Sequence, residues 1–125
     1  MKREDNNSVY EIVFYEDRNG KSPVYDFILK LSQKHDKNSR INLNKIRDYV
    51  KVLSLHGKQA GEPFIKHIED EIWELRPIKN RIFFAGWSND SFILLHHFRK
   101  KTKKTPQREI DKAKRNLKDA IEREE

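Results

Sequence analysis

The run FRKKTKKTP, residues 98–106, puts five cations into the six positions from Arg99 to Lys104, directly after the apolar stretch Phe92 to Phe98. Two arginines stand upstream, Arg76 in IWELRP and Arg81 at the start of RIFFAGWS, with Glu74 two residues before the first. Guanidinium and ammonium groups brought together suit a phosphodiester. Arginine grips its oxygens with a bidentate fork, and either cation offsets charge that builds up around phosphorus. RNA is cut without a metal when a 2′-hydroxyl attacks the neighbouring phosphate. That reaction needs proton removal, stabilisation of a dianion-like phosphorane and protonation of the leaving 5′ oxygen; a His, a Glu or a Lys of depressed pKa can move the protons. The candidates at a reacting centre are Glu74, Arg76, Arg81, His96, His97, Lys100 and Lys101, with Arg99, Lys103, Lys104 and Arg108 as contacts to an RNA backbone. A surface that binds RNA without cutting it needs many of the same residues. Arg76 also has a plainer use, pairing with Glu74 or closing a turn before Pro77, and either histidine can be a packed side chain with a satisfied hydrogen bond.

Other chemistries find no residues. There is no cysteine for a nucleophile, a disulfide or a thiolate metal site, and four glycines form no phosphate-cradling loop. The five histidines lack metal-ligand spacing, and the adjacent pair His96-His97 would point to opposite faces of a strand. No metal and no cofactor is expected. Charge points the same way as the motifs. Residues 99–118 hold ten Lys or Arg against two acids, while the remainder holds 17 against 18, so the net charge of +7 concentrates in one short piece of chain. The charged opening MKREDNNS argues against a signal peptide and no segment reaches membrane-spanning length, so no membrane association and a cytoplasmic location are expected.

The elements that must position these side chains follow from periodicity. At 125 residues the chain suits one domain, 1–125, with residues 1–8 as a flexible tail. SVYEIVFYED alternates as a strand does, and Asn19-Gly20 ends it. Ser22-Pro23 places a serine N-cap before a proline at the first helical position, starting a helix to about His35. A second helix runs from about Asn38 or Ser39 to His56-Gly57, giving a helical hairpin. After the loop GKQAGEP the period changes to two. FIKHIE, IWELRP, RIFFAGWS and SFILLHHFRK read as an antiparallel meander, and Thr105-Pro106 starts a last helix with Ile110, Ala113, Leu117, Ala120 and Ile121 inward.

Alternation puts Trp73 and Leu75 against the core and stands Glu74 and Arg76 on an open face. In the last strand it groups Phe92, Leu94, His96, Phe98 and Lys100 on one face and Ile93, Leu95, His97, Arg99 and Lys101 on the other. Arg76, Arg81 and one member of the 96–101 stretch can then meet across neighbouring strands, and only one of Lys100 and Lys101 is expected to face the arginines.

The stretches IWELRP, NRIFF and FILLHHFRKKTKKTPQREIDKAK resemble the HigB-type toxins of bacterial type II toxin-antitoxin systems, the phage-related host-inhibition branch of the RelE superfamily. The resemblance rests on Glu74-Leu75-Arg76, on Arg81, and on Phe98, Lys100, Lys101, Thr102, Lys104, Thr105, Pro106, Glu109, Ile110 and Ala113. It departs from the family pattern at Asn80, where an aromatic is expected, and at His97, where a small residue is common. It implies a RelE-like α+β fold: a mainly antiparallel sheet, an N-terminal helical hairpin and a C-terminal helix in the order β-α-α-β-β-β-β-α. It also implies a metal-independent, ribosome-dependent mRNA endonuclease, neutralised by a HigA-like helix-turn-helix antitoxin. Two other readings differ in class: a ParE-like toxin that inhibits DNA gyrase without nuclease chemistry, and a non-catalytic RNA- or ribosome-binding module.

Overall fold

The computed structural model describes residues 9–124; the tail expected over residues 1–8 lies outside them. Strand β1 (Glu11–Phe14) is followed by helices α1 (Pro23–Ser32) and α2 (Lys37–His56) and a 3-10 turn (Gly57–Ala60). Strands β2 (Ile65–Glu69), β3 (Ile72–Leu75), β4 (Asn80–Ser88) and β5 (Ser91–Arg99) come next, then helix α3 (Gln107–Glu124). The architecture is α+β, in the order expected from the sequence. The four later strands form the antiparallel meander, and β1 adds itself parallel to β5, giving the order β1-β5-β4-β3-β2.

The sheet is covered on both faces. Val24, Leu31, Leu43, Ile46 and Leu53 of the helical hairpin bury Leu75, Ile82, Phe84, Phe92 and Leu94 on one side. Ile110, Ala113, Leu117 and Ala120 of α3 bury Ile72, Phe83, Ala85, Ile93 and Leu95 on the other. Adjacent Phe83 and Phe84 therefore anchor opposite layers, as a strand buried on both faces requires. Ile121, expected inward, is 41% exposed, because the stripe on α3 has rotated off the sheet by its last turn.

Helix starts follow a mechanism that differs in detail from the expected one. The Ser22 hydroxyl makes no cap hydrogen bond; instead its backbone N–H donates to Asp26 Oδ2 at 3.2 Å, and Asp26 returns its own N–H to the Ser22 carbonyl. Helix α1 stops at Ser32, short of His35, and Asp36 caps α2 by accepting from Ser39 N at 2.9 Å. Gly57 ends α2 with φ of 61°, and a Cβ there would come within 2.7 Å of the Tyr10 ring. No other residue fits that junction without moving Tyr10, which packs on the core.

One irregularity governs the site. Phe83 pairs with His96, but the next residue, Phe84, pairs with Leu94, leaving Leu95 as an extra residue in β5. The bulge breaks the alternation expected along this strand. Phe92, Leu94 and His97 face the hairpin, while Ile93, Leu95, His96 and Phe98 face α3.

A cationic recess at the end of the sheet

The β3–β4 turn and the segment after β5 lie side by side, tied by a 2.7 Å hydrogen bond from Lys100 N to the Lys79 carbonyl. Between them opens a recess of about 430 Å³ lined by Lys79, Arg81, Lys100, Lys101, Thr102 and Lys103. Five of these six side chains carry a positive charge. Both Lys100 and Lys101 line it, because β5 ends at Arg99 and strand alternation no longer separates the two lysines; of the pair, Lys100 is the one whose charge acts on Glu74 beside the arginines. Lys79 joins them from a turn with no basic run around it, and nothing in sequence alone marks it out.

Behind the recess stands a buried charge cluster. Glu74 Oε2 lies 3.3 Å from Arg76 Nε and 3.8 Å from Arg81 Nε, and Arg76 Nη1 lies 3.7 Å from Glu62 Oε1. Glu74 is 2% exposed, so it does not stand on an open face as the alternation implied; its side of the sheet is roofed by α3 and flanked by the two arginines. Burial pushes its carboxyl pKa up, and Arg81, Arg76 and Lys100 pull it back. Burial likewise lowers the pKa of the Arg81 guanidinium from its ordinary value, with Glu74 opposing that shift.

The ion pairs are not aligned as hydrogen bonds, so Glu74 Oε1, Arg76 Nε and Arg81 Nε have no hydrogen-bond partner. Buried donors and acceptors are rarely left so. Arg81 is nevertheless fixed: its Nη1 donates to the carbonyls of Ile78 and Asn80, each at 2.9 Å. The arrangement is a rigid guanidinium, with lysines on its outer side and a carboxylate on its inner side, open to an anion with phosphate geometry.

The turn holding Arg81 is strained. Ile78 has φ of 59°, a left-handed conformation that is a true outlier for a β-branched residue. Asn80 N to the Pro77 carbonyl at 3.0 Å and Arg81 to the Ile78 carbonyl hold it there. Ile78→Gly should therefore raise stability by about 1 kcal/mol, since glycine adopts this φ freely and Ile78 is 44% exposed with little packing to lose. A urea midpoint below that of the wild type would show that the side chain, and not the backbone, decides this position.

The remaining candidates lie elsewhere. His96 reaches α3, its Nε2 2.6 Å from Glu109 Oε1, with burial lowering its pKa and Glu109 raising it. His97 points to the opposite face, stacks on Phe27 at 3.5 Å between ring centroids, and has its Nε2 3.0 Å from Asn80 Oδ1. Asn80 in turn donates to Asn42 Oδ1 at 2.9 Å, so Asn80, in place of an aromatic, ties α2 to the start of β4. Neither histidine lines the recess. Arg99, Lys104 and Arg108 are exposed and outside it, Arg108 with its Nε 3.7 Å from Glu109 Oε2. Among the described residues no group of three or more His, Asp or Glu side chains is placed to hold a metal ion, and no helix is long and apolar enough to cross a membrane.

A two-faced sheet that brings one arginine and four lysines to a single recess defines a small α+β domain with a cationic pocket at one end of its sheet. The family profile described as phage-derived protein Gp49-like (DUF891) matches residues 26–118, and the chain belongs to that family, a toxin-like family related to the RelE and HigB types. The match runs from α1 to α3 and takes in the whole recess. No curated protein matches the chain.

Proposed function

We propose that this chain is the toxin of a type II toxin-antitoxin system: a HigB-type, metal-independent and ribosome-dependent mRNA endonuclease, held inactive by a HigA-like helix-turn-helix antitoxin. The observation that carries this reading is the recess where Arg81 meets Lys79, Lys100, Lys101 and Lys103, with Glu74 directly behind it. A phosphate seated there is surrounded by positive charge on a rigid frame. In the proposed reaction the 2′-oxygen bonds to phosphorus and the P–O5′ bond breaks, leaving a 2′,3′-cyclic phosphate and a 5′-hydroxyl. Arg81 and Lys100 stabilise the phosphorane oxygens. Glu74 holds both arginines in register and, with its carboxyl pKa raised by burial, is the nearest group suited to accept the 2′-hydroxyl proton. Lysine ammonium groups at the mouth supply the proton for the 5′ oxygen.

One observation favours a second reading. None of the six residues lining the recess is a histidine or carboxylate. That composition suits a module that grips RNA or the ribosome without cutting.

Induced expression in a bacterium, with message 5′ ends mapped before and after induction, separates these. The expected result is growth arrest with new in-frame ends, suppressed when a helix-turn-helix partner encoded beside it is co-expressed. Arrest with intact messages would reject cleavage in favour of the binding module. A DNA-damage response with intact messages would instead select gyrase inhibition.

A further inference from the structure

We infer that the outer face of α2 is a second polyanion-binding surface, one that tracks the phosphate backbone of an RNA duplex. The inference rests on the toxin reading above and gives it a docking surface separate from the recess. Lys37, Arg40, Asn44, Arg47 and Lys51 recur at intervals of three and four residues, so they form one line along the helix, and all five are exposed. At ~1.5 Å per residue the line from Lys37 to Lys51 extends about 21 Å. The opposite side of the same helix buries Ser39, Asn42, Leu43, Ile46 and Leu53, which fixes the line outward on a rigid support.

The partnering of these charges is the second observation. Among the described residues none of Lys37, Arg40, Arg47 or Lys51 has an ion pair, and Asp48 is the single acid in the helix. On α3 three of the six cations are paired, Lys114 with Glu69 and Asp70, Arg123 with Asp119 at 3.1 Å and Arg108 with Glu109 at 3.7 Å, whereas on the α2 line none of the four is. Like charges three and four residues apart repel one another and weaken a helix. Within the fold these four cations have no ion-pair partner, which an external polyanion would supply.

The make-up of the line selects the partner. Beside the line stands one exposed aliphatic residue, Ile41, and no aromatic residue, so the face lacks the cluster of apolar anchors usual in a protein interface. It also offers no ring on which single-stranded bases can stack. Evenly exposed cations over about 21 Å match a stiff, repeating row of phosphates. The N-terminal half of the helix is tied to the recess end of the sheet through the Asn42–Asn80 hydrogen bond. The line on α2 therefore starts at the same end of the sheet as the recess but on the other layer, since Asn80 points to the hairpin while Arg81 and Glu74 lie on the α3 side.

The test uses the full chain and a labelled RNA duplex of about 16 base pairs, titrated over a range of salt. The variant carries K37Q, R40Q, R47Q and K51Q together. Its expected affinity at roughly 100 mM salt is at least tenfold lower, and its plot of log K against log salt is shallower by about 3, for four lost phosphate contacts. Its thermal midpoint should match or exceed that of the wild type, because like-charge repulsion is relieved. An unchanged slope and affinity would overturn the surface. So would a polyglutamate of equal charge that binds the wild type as tightly as the duplex and loses that binding in the variant, which would assign the line to an acidic protein. Message mapping separates this from the toxin reading. Loss of duplex binding in the variant alongside uncut messages with the wild type would retain the surface and reject the nuclease; cut messages with unchanged duplex binding would do the reverse.

Discussion

On the nuclease reading proposed above, Arg81→Lys should keep the fold and lower message cleavage by about 100-fold, the scale of removing one well-aimed donor from a transition-state cradle. The charge is preserved, so Glu74 still faces a cation. What goes is the planar fork. Arg81 uses Nη1 on two backbone carbonyls while its Nε faces Glu74, and its remaining N–H groups serve the recess. A lysine ammonium has three donors on one atom and cannot reach the carbonyls, the carboxylate and a phosphate at once. Arg81→Ala is a poorer probe. It leaves a buried carboxylate short of a partner, which costs about 3–5 kcal/mol and confuses lost activity with lost structure. Cleavage rates with ribosomes and a defined message, alongside circular dichroism melting, separate the two. Full activity in Arg81→Lys would mean that the recess senses charge alone.

Acid should destabilise the fold by about 3 kcal/mol between pH 6.5 and 4, and His97 should account for it. Burial pushes His97 down to about 4, with Arg99 and His96 adding to the effect. The unfolded chain takes up this proton near pH 6.5 and the folded chain does so near 4, so stability is complete above pH 6.5 and falls across that window. His96 is shifted in the same direction and steepens the loss. Glu74 works against it, because a carboxyl raised by burial takes up its proton more readily in the folded state. His97→Gln isolates the effect: an amide N–H can still meet Asn80 Oδ1, but nothing titrates. Urea midpoints at pH 7 and pH 5 should diverge in the wild type and nearly coincide in the variant. Equal pH dependence in both proteins would move the acid sensitivity to another group.

Periodicity made the elements legible. Helical stripes on α1, α2 and α3 and period-two runs from β2 to β5 each bury an apolar face, and a buried face has to repeat in step with its backbone. The parallel pairing of β1 to β5 left no local trace, since it joins residues about 80 apart and depends on the whole chain. Arg81, Lys100, Lys101 and Lys103 stood out as charge beside apolar strands. Lys79 and the burial of Glu74 did not, because one is isolated in a turn and the other owes its environment to Arg81 on the neighbouring strand and Lys100 beyond β5. The charged line on α2 was hidden differently. Counting by stretches balanced it against acids elsewhere in the chain, and only the helix geometry brings its cations onto one side.

The extra residue in β5 sets the phase of everything after it. Up to Leu94 the strand keeps time with the hydrophobic layers; beyond Leu95 it runs half a pleat late. Without that delay the His97 ring would turn toward α3 and Phe98 toward the hairpin, and the amide chain through Asn80 and Asn42 would lose its last member. A single unpaired residue in the apolar half of the strand thus decides which layer each side chain of its polar half joins.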